Sequence, residues 1–138
     1  MRAKALTLSL IYLLLLGSVL PAEEIDLLND YWQKLFTEPF ETAYIYMKDY
    51  TFFPYTSHYE DLIYMEIGRL EEALQKKGYE IKDIAVIIHN HLKDCTFSAE
   101  DHKQYRRFKK YGFRGLFLLY SNITNKVYDI EDKKKDLT

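Results

Sequence analysis

The feature that most constrains the fold of this chain is a short apolar run, Ile84 to Ile88. It is mostly β-branched and carries no charge. Such a run is typical of a strand buried on both faces, and a strand of that kind needs a covering layer on each side of its sheet.

The segment before this run predicts a helix and a hairpin. Residues 24 to 36 repeat apolar side chains at three- and four-residue steps, which indicates an amphipathic helix that Pro39 ends. Glu41 to Tyr55 is dense in aromatic and β-branched residues around a Lys48-Asp49 turn. That composition predicts two strands paired as a hairpin.

Two further helices and two strands complete the predicted order. Ser57 and Glu60 form a capping-box pattern for a second helix that ends near Gly78. Ser98 and Asp101 open a third helix that Gly112 closes, and strands are predicted over Gly115 to Tyr120 and Lys126 to Ile130. The order predicts an α/β, three-layer-like sandwich of helices on a mixed β-sheet.

The two ends of the chain differ from the middle. Residues 1 to 22 have a basic start, a leucine-rich apolar centre and small residues at their end, which predicts a signal peptide or, if uncut, a signal anchor. Residues 23 to 131 are expected to form one domain. Residues 132 to 138 are charged, lack an apolar period and are expected to be disordered. We therefore expect an exported protein, periplasmic or secreted, with membrane association only if the N-terminal segment is uncleaved.

Charge and cysteine content exclude some classes of function and stabilisation. The formal net charge is -2, which argues against a nucleic-acid surface because phosphate binding needs clustered positive charge. The basic residues of the third helix are interpreted as a solvated face. Cys95 is the single cysteine, so an intrachain disulfide is impossible. The 13 tyrosines and 8 phenylalanines provide large apolar groups for a core instead.

A possible metal site follows the buried run directly. His89 and His91 are two residues apart, and in an extended chain that spacing points both rings to one side. Asp101 follows in the first turn of the third helix, where the intervening loop could return its carboxylate to the imidazoles. Two histidines and one carboxylate leave one tetrahedral position of zinc open, as in catalytic sites.

Simpler explanations exist for each half of this pattern. Two histidines at a strand end can be ordinary turn residues, and Ser98 with Asp101 fits a capping box that needs no metal. The two features together have far fewer chance matches than either alone.

The compound pattern resembles the JAMM (MPN, JAB-type) zinc metalloproteases, whose motif is an upstream Glu, then His-x-His, then Ser-x-x-Asp. The residues here are Glu41, His89-Asn90-His91 and Ser98-Ala99-Glu100-Asp101. The order of elements over most of residues 24 to 131 also follows the family, and "IIHNHLKDCTFSAED" is similar to its bacterial RadC-like branch. The resemblance implies a cytidine-deaminase-like fold with Zn²⁺ on His89, His91 and Asp101.

The resemblance also implies roles in catalysis. Glu41 would be the general base for a metal-activated water, and Ser98 would donate a hydrogen bond to the oxyanion. The reaction would be hydrolysis of a peptide or isopeptide bond in a peptide or protein substrate. Glu41 is preferred because it follows a helix and opens a strand, as the family's Glu does. Glu38 lies in a turn, Glu60 is explained by capping, and the exposed face of a long helix explains Glu66, Glu71 and Glu72.

Two departures from the family pattern leave alternatives open. Six residues separate His91 from Ser98 where the family usually has seven, and Leu92 stands where a proline often follows the second histidine. Asp94 is therefore kept as a reserve ligand. A non-catalytic MPN-type binding or scaffold module is the alternative function, and a small exported protein without metal is a third.

Overall fold

The structure, a computed structural model, describes residues 22–54 and 66–131, with side chains described from Leu27 onward. The predicted signal segment, the Ser57-Glu60 capping box and the predicted disordered tail lie outside these residues, apart from Ala22. The helices are α1 (Ala22–Leu35), α2 (Ile67–Lys76) and α3 (Ala99–Lys110). The strands are β1 (Ala43–Met47), β2 (Phe52–Pro54), β3 (Ile84–His91), β4 (Leu116–Ser121) and β5 (Lys126–Asp129), with a 3₁₀ turn at Ile81–Asp83.

The five strands form one mixed sheet in the order β2-β1-β3-β4-β5. β3 and β4 are parallel, and the other neighbouring pairs are antiparallel. Every residue of β3 is buried, as its uncharged apolar run predicts. The predicted α/β sandwich on a mixed sheet is confirmed at this level.

Apolar side chains alternate between two cores, one on each face of the sheet. Neighbouring residues of a strand point to opposite faces, so Ile87 and Phe117 belong to one core while Ile88 and Leu118 belong to the other. The first core contains residues of α2 and α3, namely Ile67, Leu70, Leu74, Tyr105 and Phe108. The second contains Leu28 and Trp32 of α1, and Phe36, which directly follows α1. Helices therefore cover both faces of β3.

Several of the predicted boundaries need correction. The second helix does not run continuously from Ser57, because Glu66 has extended backbone (φ -57°, ψ 133°) and α2 begins at Ile67. The first strand begins at Ala43 and not at Glu41. The strand predicted from Gly115 begins one residue later and includes Ser121.

The third helix follows its prediction closely. Ser98 is its N-cap, and Gly112 follows it with φ +104°, a conformation that favours glycine. Its basic side chains are all exposed: Lys103, Arg106, Arg107, Lys109 and Lys110. No helix in residues 22–54 and 66–131 is long and apolar enough to cross a membrane.

Candidate metal centre

The two histidines lie at the carboxyl end of β3, in the interior of the protein. His89 pairs with Ala43 of β1 and with Leu119 of β4, so it has a neighbouring strand on each side. Both histidine side chains are buried, and their ring centroids are 5.1 Å apart. The alternation along a strand places both rings on the side of the sheet that α3 covers.

Asp101 brings a carboxylate to both rings from the first turn of α3. Its Oδ1 lies 3.2 Å from His89 Nε2, and its Oδ2 lies 3.1 Å from His91 Nε2. The same Oδ2 accepts a hydrogen bond from the Ser98 backbone N–H at 2.8 Å, and Ser98 Oγ accepts one from the Asp101 N–H at 3.0 Å. Both hydrogen bonds of the predicted capping box are thus present, and they hold the Asp101 carboxylate against the histidines.

The separations of these atoms fit a metal ion. One ligand atom from each of His89, His91 and Asp101 can be chosen so that all lie within 4.8 Å of one another. Ligand atoms about 2.0–2.2 Å from a tetrahedral zinc would lie about 3.3 Å apart. The two Nε2–Oδ distances of 3.2 and 3.1 Å are of this size, although they end on different oxygens of Asp101. This buried group could therefore bind a metal ion.

The electrostatic interactions within the cluster are strong. Burial by itself would raise the pKa of Asp101, but hydrogen bonds with His89 and His91 outweigh burial and hold that pKa well below its usual range. Burial by itself would lower the pKa of His91, but hydrogen bonds with Asp101 and Asp94 raise it to about 9. In the metal-free protein the cluster therefore favours a protonated His91, with which a metal ion has to compete.

Glu41 lies beside this cluster, just before β1. The pairing of β1 with β3 continues one residue past Ala43 and His89: the Asn90 N–H donates to the Thr42 carbonyl at 3.2 Å. One residue further, the same register places Glu41 opposite His91, and opposed residues share a face of the sheet. Burial raises the pKa of Glu41, while the charges of His91 and His89 oppose that rise.

Ser98 and Asp94 occupy different positions around the cluster. Ser98 is exposed at the N-cap of α3. Asp94 lies on the other edge of the His91 ring, where its Oδ1 is 2.7 Å from His91 Nδ1. The structure thus brings Asp101, and not the reserve candidate Asp94, to the Nε2 atoms of both histidines.

The sequence did not predict the role of Asn90, the residue between the two histidines. Asn90 points to the opposite face of the sheet, where its Oδ1 accepts the Thr42 N–H at 2.7 Å. Its Nδ2 donates to Asn122 Oδ1 at 2.7 Å, and Asn122 Nδ2 donates to the Phe36 carbonyl at 3.1 Å. These bonds join the residues directly after α1, directly before β1 and directly after β4. Strand alternation could have predicted the face of Asn90, but not its distant partners.

No family model, curated protein or solved structure matches this chain. The JAMM resemblance remains a prediction carried by the motif residues.

Proposed function

We propose that this protein is a zinc-dependent hydrolase of the JAMM type that cleaves a peptide or isopeptide bond. The observation that carries the proposal is the convergence of His89, His91 and Asp101 at the end of a buried strand, with Glu41 beside them. A structural ion pair would need the histidines and Asp101 alone. The nearby carboxylate of Glu41 supplies a group that hydrolysis needs in addition.

The three donor groups suit zinc and leave a fourth coordination position open for water or substrate. Imidazole nitrogens and a carboxylate oxygen are common zinc ligands, and catalytic zinc sites usually have three protein ligands. When bound, a zinc ion supplies polarisation of a carbonyl group and a hydroxide nucleophile near neutral pH. His89 and His91 would hold it through Nε2, the atoms that face Asp101.

Glu41 is the proposed general base. Its side chain is partly buried, and in the metal-free protein burial raises its pKa. Glu41 would take a proton from the attacking water and pass it to the leaving amine. The hydrogen bonds between Thr42 and Asn90 fix the backbone next to Glu41 and so restrict where its carboxylate can reach.

Ser98 is the proposed donor to the oxyanion. In the capping box its Oγ acts as an acceptor for the Asp101 N–H. A serine hydroxyl has one proton besides its acceptor lone pairs, so capping does not consume the proton that would stabilise negative charge on a substrate oxygen.

The alternative is a binding or scaffold module that keeps the fold, with or without zinc, and has no turnover. The short loop between His91 and Ser98 favours it, since that loop borders the site and departs from the family's usual length. Zinc binding without hydrolysis, over a broad set of substrates, would select this alternative.

The test combines metal analysis with a search for turnover in the purified full-length protein. We expect about one zinc per chain and cleavage of some members of a panel of fluorogenic peptides and isopeptide-linked conjugates. Glu41→Gln should lower the cleavage rate by about 10²- to 10⁴-fold, because it removes the base and keeps the shape. Its zinc content should not change.

Two variants serve as controls. Glu38→Gln changes an exposed glutamate three residues from Glu41, and it should leave both rate and zinc content unchanged. Replacing His89 and His91 together by alanine should abolish stoichiometric zinc and turnover. Full zinc retention in that double variant, or normal turnover in Glu41→Gln, would contradict the proposal.

A further inference from the structure

Asp94 and Asp101 contact opposite edges of the His91 ring. Asp94 Oδ1 is 2.7 Å from Nδ1, and Asp101 Oδ2 is 3.1 Å from Nε2. The two ring nitrogens of an imidazole point in different directions, so a carboxylate on Nδ1 does not share a metal ion held by Nε2. Asp94 is therefore a hydrogen-bond partner of His91 and stands outside the group of convergent donors.

Hydrogen bonds hold Asp94 in this position. Its Oδ1 also accepts the Thr96 N–H at 3.2 Å, and its main-chain carbonyl accepts the Ser121 hydroxyl at 2.9 Å. Ser121 is fully buried at the end of β4, where it pairs with His91 across the parallel ladder. The carboxylate and the ring it contacts are thus both fixed to the ends of neighbouring strands. This matters because 58% of the Asp94 side chain is exposed, so burial alone would not fix it.

We infer that Asp94 is a positioning residue for the metal site. By accepting a hydrogen bond from Nδ1–H of His91, it keeps a proton on Nδ1, so that Nε2, the nitrogen on the Asp101 side, is the one left to hold a metal ion. It also holds the ring plane and makes Nε2 a stronger donor. The inference rests on the proposed function only in requiring that the site binds a metal.

Zinc affinity of the full-length protein tests this role without any substrate. Competition with a chromophoric chelator would be measured for the unsubstituted protein, Asp94→Ala and Asp94→Asn at one pH. Loss of such a partner typically lowers metal affinity by about 10- to 100-fold, and we expect that loss for Asp94→Ala. Asp94→Asn keeps an acceptor oxygen and should lose less.

Glu100→Gln is the matched control for the removal of negative charge. Glu100 is exposed and adjacent to Asp101 in sequence, and its Oε1 accepts a hydrogen bond from Gln104 that a glutamine oxygen can also accept. This variant should bind zinc as tightly as the unsubstituted protein. An equal loss in Glu100→Gln and Asp94→Ala would mean that only charge matters, and it would overturn the inference.

Cobalt substitution separates positioning from direct ligation. A visible Co²⁺ spectrum that keeps its band intensities, with weaker binding in Asp94→Ala, supports the inference, whereas intensities that indicate a changed coordination number make Asp94 a ligand and overturn it. If both Asp94 variants bind zinc as tightly as the unsubstituted protein, the inference is also overturned. If Asp94→Ala fails to fold, the zinc affinities of Asp94→Asn and Glu100→Gln are compared instead. Weaker binding in Asp94→Asn alone supports the inference, and an equal loss in both variants overturns it. Absence of zinc from the unsubstituted protein overturns the proposed function first, and this inference with it.

Discussion

At the scale of single residues, Asp101 shows that two explanations of one motif can both hold. Its backbone and carboxylate complete a capping box with Ser98, and the same carboxylate contacts the Nε2 atoms of His89 and His91. Its charge also lies at the N-terminus of α3, where the helix dipole favours an anion. Folding of α3 therefore delivers the carboxylate to the histidines.

The two roles of this motif can be separated by two variants. Ser98→Ala removes the acceptor for the Asp101 N–H, and loss of an N-cap costs about 0.5–2 kcal/mol in free energy of unfolding. Zinc binding should persist in this variant. Asp101→Asn keeps an oxygen that can accept the Ser98 N–H, but a neutral amide is a poor zinc ligand, so stoichiometric zinc should be lost.

Denaturant unfolding and zinc titration of both variants would check these outcomes. Retention of zinc in Asp101→Asn together with its loss in Ser98→Ala would contradict the assignment of the carboxylate as a ligand.

The sequence predicted which residues form this cluster, but it did not predict the hydrogen bonds that surround it. The spacing of His89 and His91 is sufficient to place both rings on one side of a strand, because side chains alternate along it. The contact of Asp94 with Nδ1 of His91 depends on the path of the loop after β3, and the bonds of Asn90 depend on Asn122, which is distant in sequence. Neither follows from local spacing.

At the scale of secondary structure, β3 is the element around which the others are arranged. Its apolar run correctly predicted a strand covered on both faces, and the hairpin of β1 and β2 was also predicted. The strand order was not predicted, because it depends on pairing between distant segments. The continuous helix from Ser57 was wrong, since α2 begins only at Ile67.

A glycine at the start of β4 is required by the close approach of two strands. A Cβ built on Gly115 would clash with the Ala85 carbonyl oxygen of β3, a backbone atom that cannot move aside easily. Forcing extra volume into a packed interior typically costs about 1–3 kcal/mol. We expect Gly115→Ala to lower the free energy of unfolding by at least that amount.

Gly68 in α2 provides the matched control. A Cβ there meets its nearest atom at 4.0 Å, at the end of the Glu66 side chain. Because alanine is a better helix former than glycine, Gly68→Ala should be neutral or stabilise by up to about 1 kcal/mol. Urea denaturation would compare the two variants, and equal stability of Gly115→Ala and the unsubstituted protein would be inconsistent with the contact.

At the scale of the whole molecule, acidic and histidine side chains gather at one end of the sheet. Glu41, Asp94 and Asp101 approach this end from the start of β1, the loop after β3 and the start of α3. Three carboxylates around two histidines attract a cation. This arrangement arises only when the separate parts of the chain come together in the fold.

The N-terminal segment leads to a prediction about the location of the protein. Its basic start, leucine run and small-residue exit are typical of an export signal. We expect export and a mature chain that begins at Glu23. Cell fractionation with N-terminal sequencing checks this, and a full-length chain free in the cytoplasm would show the prediction to be wrong.

The complete burial of β3 has a consequence for how rigidly the two histidines are held. Backbone amides in a central, fully covered strand exchange with solvent only when much of the protein unfolds, whereas amides of surface loops exchange through small local openings. His89 and His91 lie in such a buried strand, whereas the loop that carries Asp94 is largely exposed. We therefore expect the backbone amides of His89 and His91 to exchange far more slowly than those of the loop around Asp94.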